Sequence, residues 1–123
     1  MAKSYKDLDI YKISFDLFIR SHRVSMKFPK HELFELGSQI RRSSDSVNSN
    51  IVEGYGRRKY QKDFIKFLTY SHSSNDETLN HFKKIKVLYP QFDKEVTGLI
   101  DEYDLLGGKI HNFIEYVIQN WKT

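Results

Sequence analysis

Residues 92–117 read FDKEVTGLIDEYDLLGGKIHNFIEYV. Within them Phe92, Val96, Leu99, Tyr103, Leu106, Ile110, Phe113 and Val117 follow alternating steps of four and three. That spacing lines one face of an α-helix and makes an a/d seam, whereas a strand would place its apolar residues at every second position. The stretch is therefore a long amphipathic helix with one face to bury. Its one anomaly is Gly107-Gly108. A mid-helix glycine costs about 1 kcal/mol relative to alanine, so the pair points to close approach of a neighbouring helix or to a kink.

The same periodicity extends upstream through nearly the whole chain, interrupted at Phe28-Pro29, at Gly56-Arg57-Arg58-Lys59 and at Tyr89-Pro90. Proline restricts the residue before it and suits a first helical turn, so each Pro marks a boundary. The pattern predicts helices over 8–26, 31–56, 60–88 and 92–119. Short connections between long amphipathic helices favour antiparallel neighbours. The expected fold is all-α: one domain over residues 1–123, an antiparallel up-down-up-down four-helix bundle.

Composition agrees with one packed domain. The chain has 123 residues, 39% hydrophobic and 29% charged, with 6 Gly, 2 Pro and no Cys. Absence of cysteine excludes a disulfide scaffold, thiolate zinc and a cysteine nucleophile. Charges interrupt every apolar run, so neither a signal-peptide core nor a membrane span is expected, and the protein is read as cytoplasmic.

Two features of the helical segments bear on assembly and register. In the first segment Leu8, Tyr11, Phe15, Phe18 and His22 cluster on one side, and Ile10, Ile13, Leu17 and Val24 lie almost diametrically opposite. One stripe faces the bundle core and the other needs a cover, as a protein interface does. The Ile10, Ile13, Leu17 and Val24 stripe is assigned to subunit contacts. In the second and third segments the seam turns polar at Ser43, Ser44, Ser71 and Asn75. With the helices folded back near residue 58, these four are expected in one buried, hydrogen-bonded layer that sets register.

Catalytic and metal signatures are missing. Five histidines are present, yet there is no Glu-x-x-His pair of the di-metal bundles. His31-Glu32-Leu33-Phe34-Glu35 lacks the second His of a zincin, and Gly54-Tyr55-Gly56 lacks the rest of a phosphate-binding loop. His72 with Asp76, and Glu77 with His81, read as helix-surface pairs. No enzyme, cofactor or metal is expected.

Charge is asymmetric: residues 1–62 hold 13 Lys and Arg against 7 Asp and Glu, and residues 63–123 hold 7 against 9. The excess concentrates in Arg57, Arg58, Lys59 and Lys62, interleaved with Tyr55 and Tyr60, and Arg41-Arg42 form a second basic pair. Cations neutralise phosphates and aromatic rings stack on bases, so these six basic residues are the candidate contacts to RNA or DNA. The competing reading is a solvated surface on a protein-interaction scaffold.

Four segments stand out: Tyr5-Lys6-Asp7-Leu8-Asp9-Ile10-Tyr11, Gln39-Ile40-Arg41-Arg42, Asn50-Ile51-Val52-Glu53-Gly54 and Phe64-Ile65-Lys66-Phe67-Leu68. Together they resemble the small four-helix-bundle proteins encoded in intervening sequences of bacterial 23S ribosomal RNA genes. His72 stands where that family usually has Arg, Ser73 where it has Gly and Val52 where it has Ala, so a role of that Arg does not transfer. The resemblance implies a homopentameric ring, of the kind seen in the accessory protein of diversity-generating retroelements, where a basic ring meets nucleic acid and a protein partner.

Overall fold

The computed structural model describes residues 3–121, and none of them forms a strand. A 3-10 turn at Tyr5–Asp7 leads into α1 (Asp9–Ser25), α2 (Lys30–Leu33), α3 (Leu36–Gly56) and α4 (Gln61–Leu88); a second 3-10 turn at Pro90–Phe92 leads into α5 (Asp93–Asn120). The four long helices follow the apolar periodicity. The expected helix over 31–56 is broken, however. Glu35 adopts φ −105° and ψ −103°, which separates the single turn of α2 from α3. At Gly37 a Cβ would lie 2.8 Å from the carbonyl oxygen of Glu32, so the chain doubles back more tightly there than any side chain permits. The Leu33, Leu36, Ile40 seam runs across the break and conceals it in the sequence.

Contacts that rise along one helix fall along the next. From α3 to α4, Ser43 accepts from Thr78 (2.7 Å), Ser46 pairs with Ser74 (2.8 Å), and the Val47 carbonyl accepts from Ser71 (2.6 Å). From α4 to α5, Gln61 donates to the carbonyl of Val117 (2.7 Å) and Asn75 to that of Tyr103 (2.8 Å). From α1 and the turn that follows it to α5, Ser21 bonds Tyr103 (2.7 Å) and Lys27 pairs with Glu95 (3.3 Å). From α1 to α3, Asn48 donates to Ser14 (3.1 Å) and Arg41 to Ser25 (2.8 Å). Each of these four neighbouring pairs is antiparallel.

Leu17, Ile40, Ile51, Phe64, Leu68, Phe82, Ile85, Leu106 and Ile110 are fully buried between the four helices. Tyr103 is buried with them. Burial pushes its phenol above the usual tyrosine range, and the hydroxyl shares a hydrogen bond with Ser21 Oγ.

The four residues of the expected polar layer are all buried and all hydrogen-bonded. Their pairing is staggered rather than level. Ser43 meets Thr78, Ser71 meets the Val47 carbonyl, Ser44 bonds back to Ile40 of its own helix (2.6 Å), and Asn75 reaches α5 instead of α3.

The Asn75 contact accounts for half of the glycine pair. A Cβ on Gly107 would stand 3.0 Å from Asn75 Nδ2, whereas one on Gly108 would meet nothing within 4 Å. The same substitution at adjacent positions therefore has different outcomes. Gly108→Ala should gain the helix-propensity difference, about 1 kcal/mol. In Gly107→Ala that gain is offset by disturbing a buried hydrogen bond, at about 1–3 kcal/mol. Urea unfolding midpoints should place Gly108→Ala above the parent and Gly107→Ala at or below it.

Candidate nucleic-acid interface

α3 ends at Gly56, and Arg57 to Tyr60 turn the chain into α4. The turn does project cations, but its two arginines are engaged. Arg57 Nε donates to Glu53 (3.1 Å), a second guanidinium nitrogen lies 3.8 Å from Asp63, and the group sits 4.8 Å from the centre of the Phe67 ring. Arg58 donates to the Tyr55 carbonyl (2.9 Å) and lies 4.1 Å over the Tyr55 ring, while its own carbonyl accepts from the Trp121 indole (3.1 Å). Arg57 makes the ion pairs of this region, so among its described residues Arg58, Lys59 and Lys62 have no carboxylate partner, and of these the two lysines have no hydrogen bond either.

The two tyrosines part company. Tyr55 is buried and meets Phe64 edge-on at 6.2 Å, which removes it from any stacking role. Tyr60 is 62% exposed with the Lys59 ammonium 5.8 Å from its ring.

Arg41 and Arg42 do not join this cluster. They lie on α3 about 15 residues before the turn, roughly 22 Å along the helix axis. Arg42 is exposed, whereas Arg41 turns inward. One of its nitrogens donates to Ser25 Oγ (2.8 Å) and another to the Leu33 carbonyl (2.6 Å). This clamp ties the ends of α1 and α2 to α3, which gives Arg41 a structural role that Arg42 does not share.

The stripe assigned to subunit contacts is also corrected. Ile10, Leu17 and Val24 are buried within the single chain and Ile13 packs against its core. Ser14, Ser21 and Ser25 interleave with them and are buried too, because small residues let α1 approach α3 and α5 closely. The outward stripe is the aromatic one: Phe15 and Met26 are about half exposed, and Phe18 and Ile19 are half-buried.

Three residues beyond the turn extend the basic surface. Lys62, Lys66 and Tyr70 recur every four residues along α4, which aligns them on one face. The Lys66 ammonium lies 5.7 Å from the Phe67 ring and 6.0 Å from the Tyr70 ring. The spacing is visible in the sequence but lies outside the compact run of cations at the turn.

His72 forms the expected surface pair with Asp76 at 3.7 Å, whereas His81, which pairs with Glu77 at 3.4 Å, is buried rather than at the surface. His72 and His111 line a shallow cleft of about 270 Å³ between α4 and α5. Among the described residues no three His, Asp or Glu side chains are placed to hold a metal ion, and no helix is long and apolar enough to cross a membrane.

The different environments of Arg41 and Arg42 are separable by experiment. Arg41→Ala removes two hydrogen bonds from a charged donor and should cost about 1.5–3 kcal/mol or more of unfolding free energy. Arg42→Ala should stay within about 0.5 kcal/mol, as exposed substitutions do. Equal denaturation midpoints for the two variants would contradict the clamp.

A family model described as 23S rRNA-intervening sequence protein matches residues 6–112, a span that contains the basic turn, the α4 ladder and the Arg41 clamp. No curated protein matches the chain significantly.

Proposed function

The chain belongs to the family of 23S rRNA-intervening sequence proteins, and on that premise we propose that it acts without catalysis, as a homopentameric ring that binds RNA or DNA through its basic surface. The observation that carries the nucleic-acid reading is the concentration of uncompensated lysines at the α3–α4 turn and the start of α4, beside exposed Tyr60. Lysine ammonium groups attract phosphates without demanding a particular base, so the binding is sequence-tolerant and sensitive to salt. The subunit number comes from the family resemblance. Support for assembly comes from α1 and its C-cap, whose Phe15 and Met26 face solvent on a helix already packed through its opposite side. A ring repeats the same lysines on every subunit, and avidity then exceeds the affinity of one copy without new contacts.

The two parts of this reading are tested separately. Fluorescence anisotropy with mixed-sequence RNA and DNA between 50 and 200 mM salt, the range over which phosphate contacts declare themselves, should give a steep fall in affinity. Lys59→Gln with Lys62→Gln should flatten the slope of log K against log salt by roughly 1–2. A scaffold that docks only proteins shows no such slope in either form.

For assembly, light scattering should return a multiple of the 14.7 kDa chain mass, five-fold for a pentamer. Phe15→Glu combined with Met26→Glu should shift the mass toward that of one chain while circular dichroism stays helical. A parent protein of single-chain mass at micromolar concentration would remove the ring.

A further inference from the structure

The face of α4 beyond the basic turn combines charge with an oriented aromatic ring. Lys62, Lys66 and Tyr70 span eight residues, about 12 Å of helix axis. Tyr70 is 46% exposed, and Phe67 meets it edge-on with ring centres 5.6 Å apart. Phe67 is itself held by two cations, the Arg57 guanidinium 4.8 Å and the Lys66 ammonium 5.7 Å from its centre. This support orients the Tyr70 ring before any ligand arrives. A solvated helix face kept only for solubility has no use for a half-exposed ring braced in this way. The one carboxylate at the start of this face, Asp63, lies 3.8 Å from Arg57, which leaves Lys62 and Lys66 to dominate the local field. Beyond Tyr70 the helix turns acidic at Asp76 and Glu77, so the basic track has a defined end.

We propose that this face is a binding track for single-stranded nucleic acid, with an unpaired base stacked on Tyr70 and the adjoining phosphates held by Lys62 and Lys66. The proposal rests on the nucleic-acid reading above and narrows it to a site and a strand state. A duplex keeps its bases in the stack and offers this face phosphates alone. A single strand offers phosphates and a free π-face together, and stacking on an aromatic side chain tolerates any base. The ring is supplied by α4 itself, so one chain carries the complete track whatever the number of subunits.

The test uses the full chain and two labelled probes of equal length, an oligouridylate and a blunt RNA duplex, read by anisotropy at low salt. The single strand should bind more tightly than the duplex. Tyr70→Ala should weaken single-strand binding roughly ten-fold, within the range of one stacked base, and leave duplex binding unchanged. Tyr70→Phe keeps the ring and should retain single-strand binding, which separates stacking from any loss of fold. Lys66→Gln should weaken both probes, since phosphates are common to them. The track is refuted if Tyr70→Ala binds the oligouridylate as the parent does, or loses both probes equally. Parent protein that binds both probes with Tyr70 indifferent sinks the track and spares the broader reading; parent protein that binds neither sinks both.

Discussion

A helix pair packed through apolar side chains alone can slide by a turn and find new partners, whereas one packed through buried hydroxyls and amides leaves those groups unpaired when it slides. Ser43, Ser71, Asn75 and Thr78 impose that constraint here, each buried and each bonded across a helix boundary. An unpaired buried polar group costs about 1–3 kcal/mol, so a one-turn slip of α4 would forfeit several such bonds together, a large share of the stability of a domain this size. Asn75 extends the constraint from α3 and α4 to α5. Its amide reaches the Tyr103 carbonyl because Gly107 has no side chain to stop it.

Register then determines what the surface presents. With Ser46 opposite Ser74 and Val47 opposite Ser71, α3 and α4 are joined by a turn of only a few residues, and that turn holds the densest run of cations in the chain. The inward side of α4 is committed to Phe64, Leu68, Ser71 and Asn75. Lys62, Lys66 and Tyr70 consequently face away from the core. The outward ladder is a by-product of the inward pairing, and a sequence that altered the buried hydroxyls would re-aim the lysines as well.

How far this could be read in advance depended on whether periodicity has one solution. The α5 seam has a single apolar face, and the structure buries Val96, Leu99, Tyr103, Leu106, Ile110 and Val117 from it. α1 has two apolar faces, and periodicity has no sign with which to choose between them. The discriminating signal was size. Ser14, Ser21 and Ser25 follow the Ile10, Leu17 and Val24 stripe and permit close packing, while Phe15, Phe18 and Met26 are too bulky for the same contact. The break at Glu35 was illegible because the apolar spacing runs through it. Arg41 and Arg42 are adjacent and chemically identical, so only the helical phase that turns one toward Ser25 and Leu33 separates clamp from surface.

The cations divide by chemistry. Of the six arginines in the chain, Arg20 forms a two-pronged pair with Glu102, Arg41 bridges α1, α2 and α3, Arg57 is held by Glu53 and Phe67, and Arg58 caps Tyr55. The planar guanidinium fork suits such fixed, multidentate contacts, and once so used it is not available for base edges or bidentate phosphate clamps. Lys59, Lys62 and Lys66 are flexible point charges on the outside. A polyanion meeting this surface encounters exposed lysines beside arginines whose donors are already engaged. Sequence is read by fixed donors aimed at base edges, and Arg20, Arg41, Arg57 and Arg58 have donors already committed to partners within the chain.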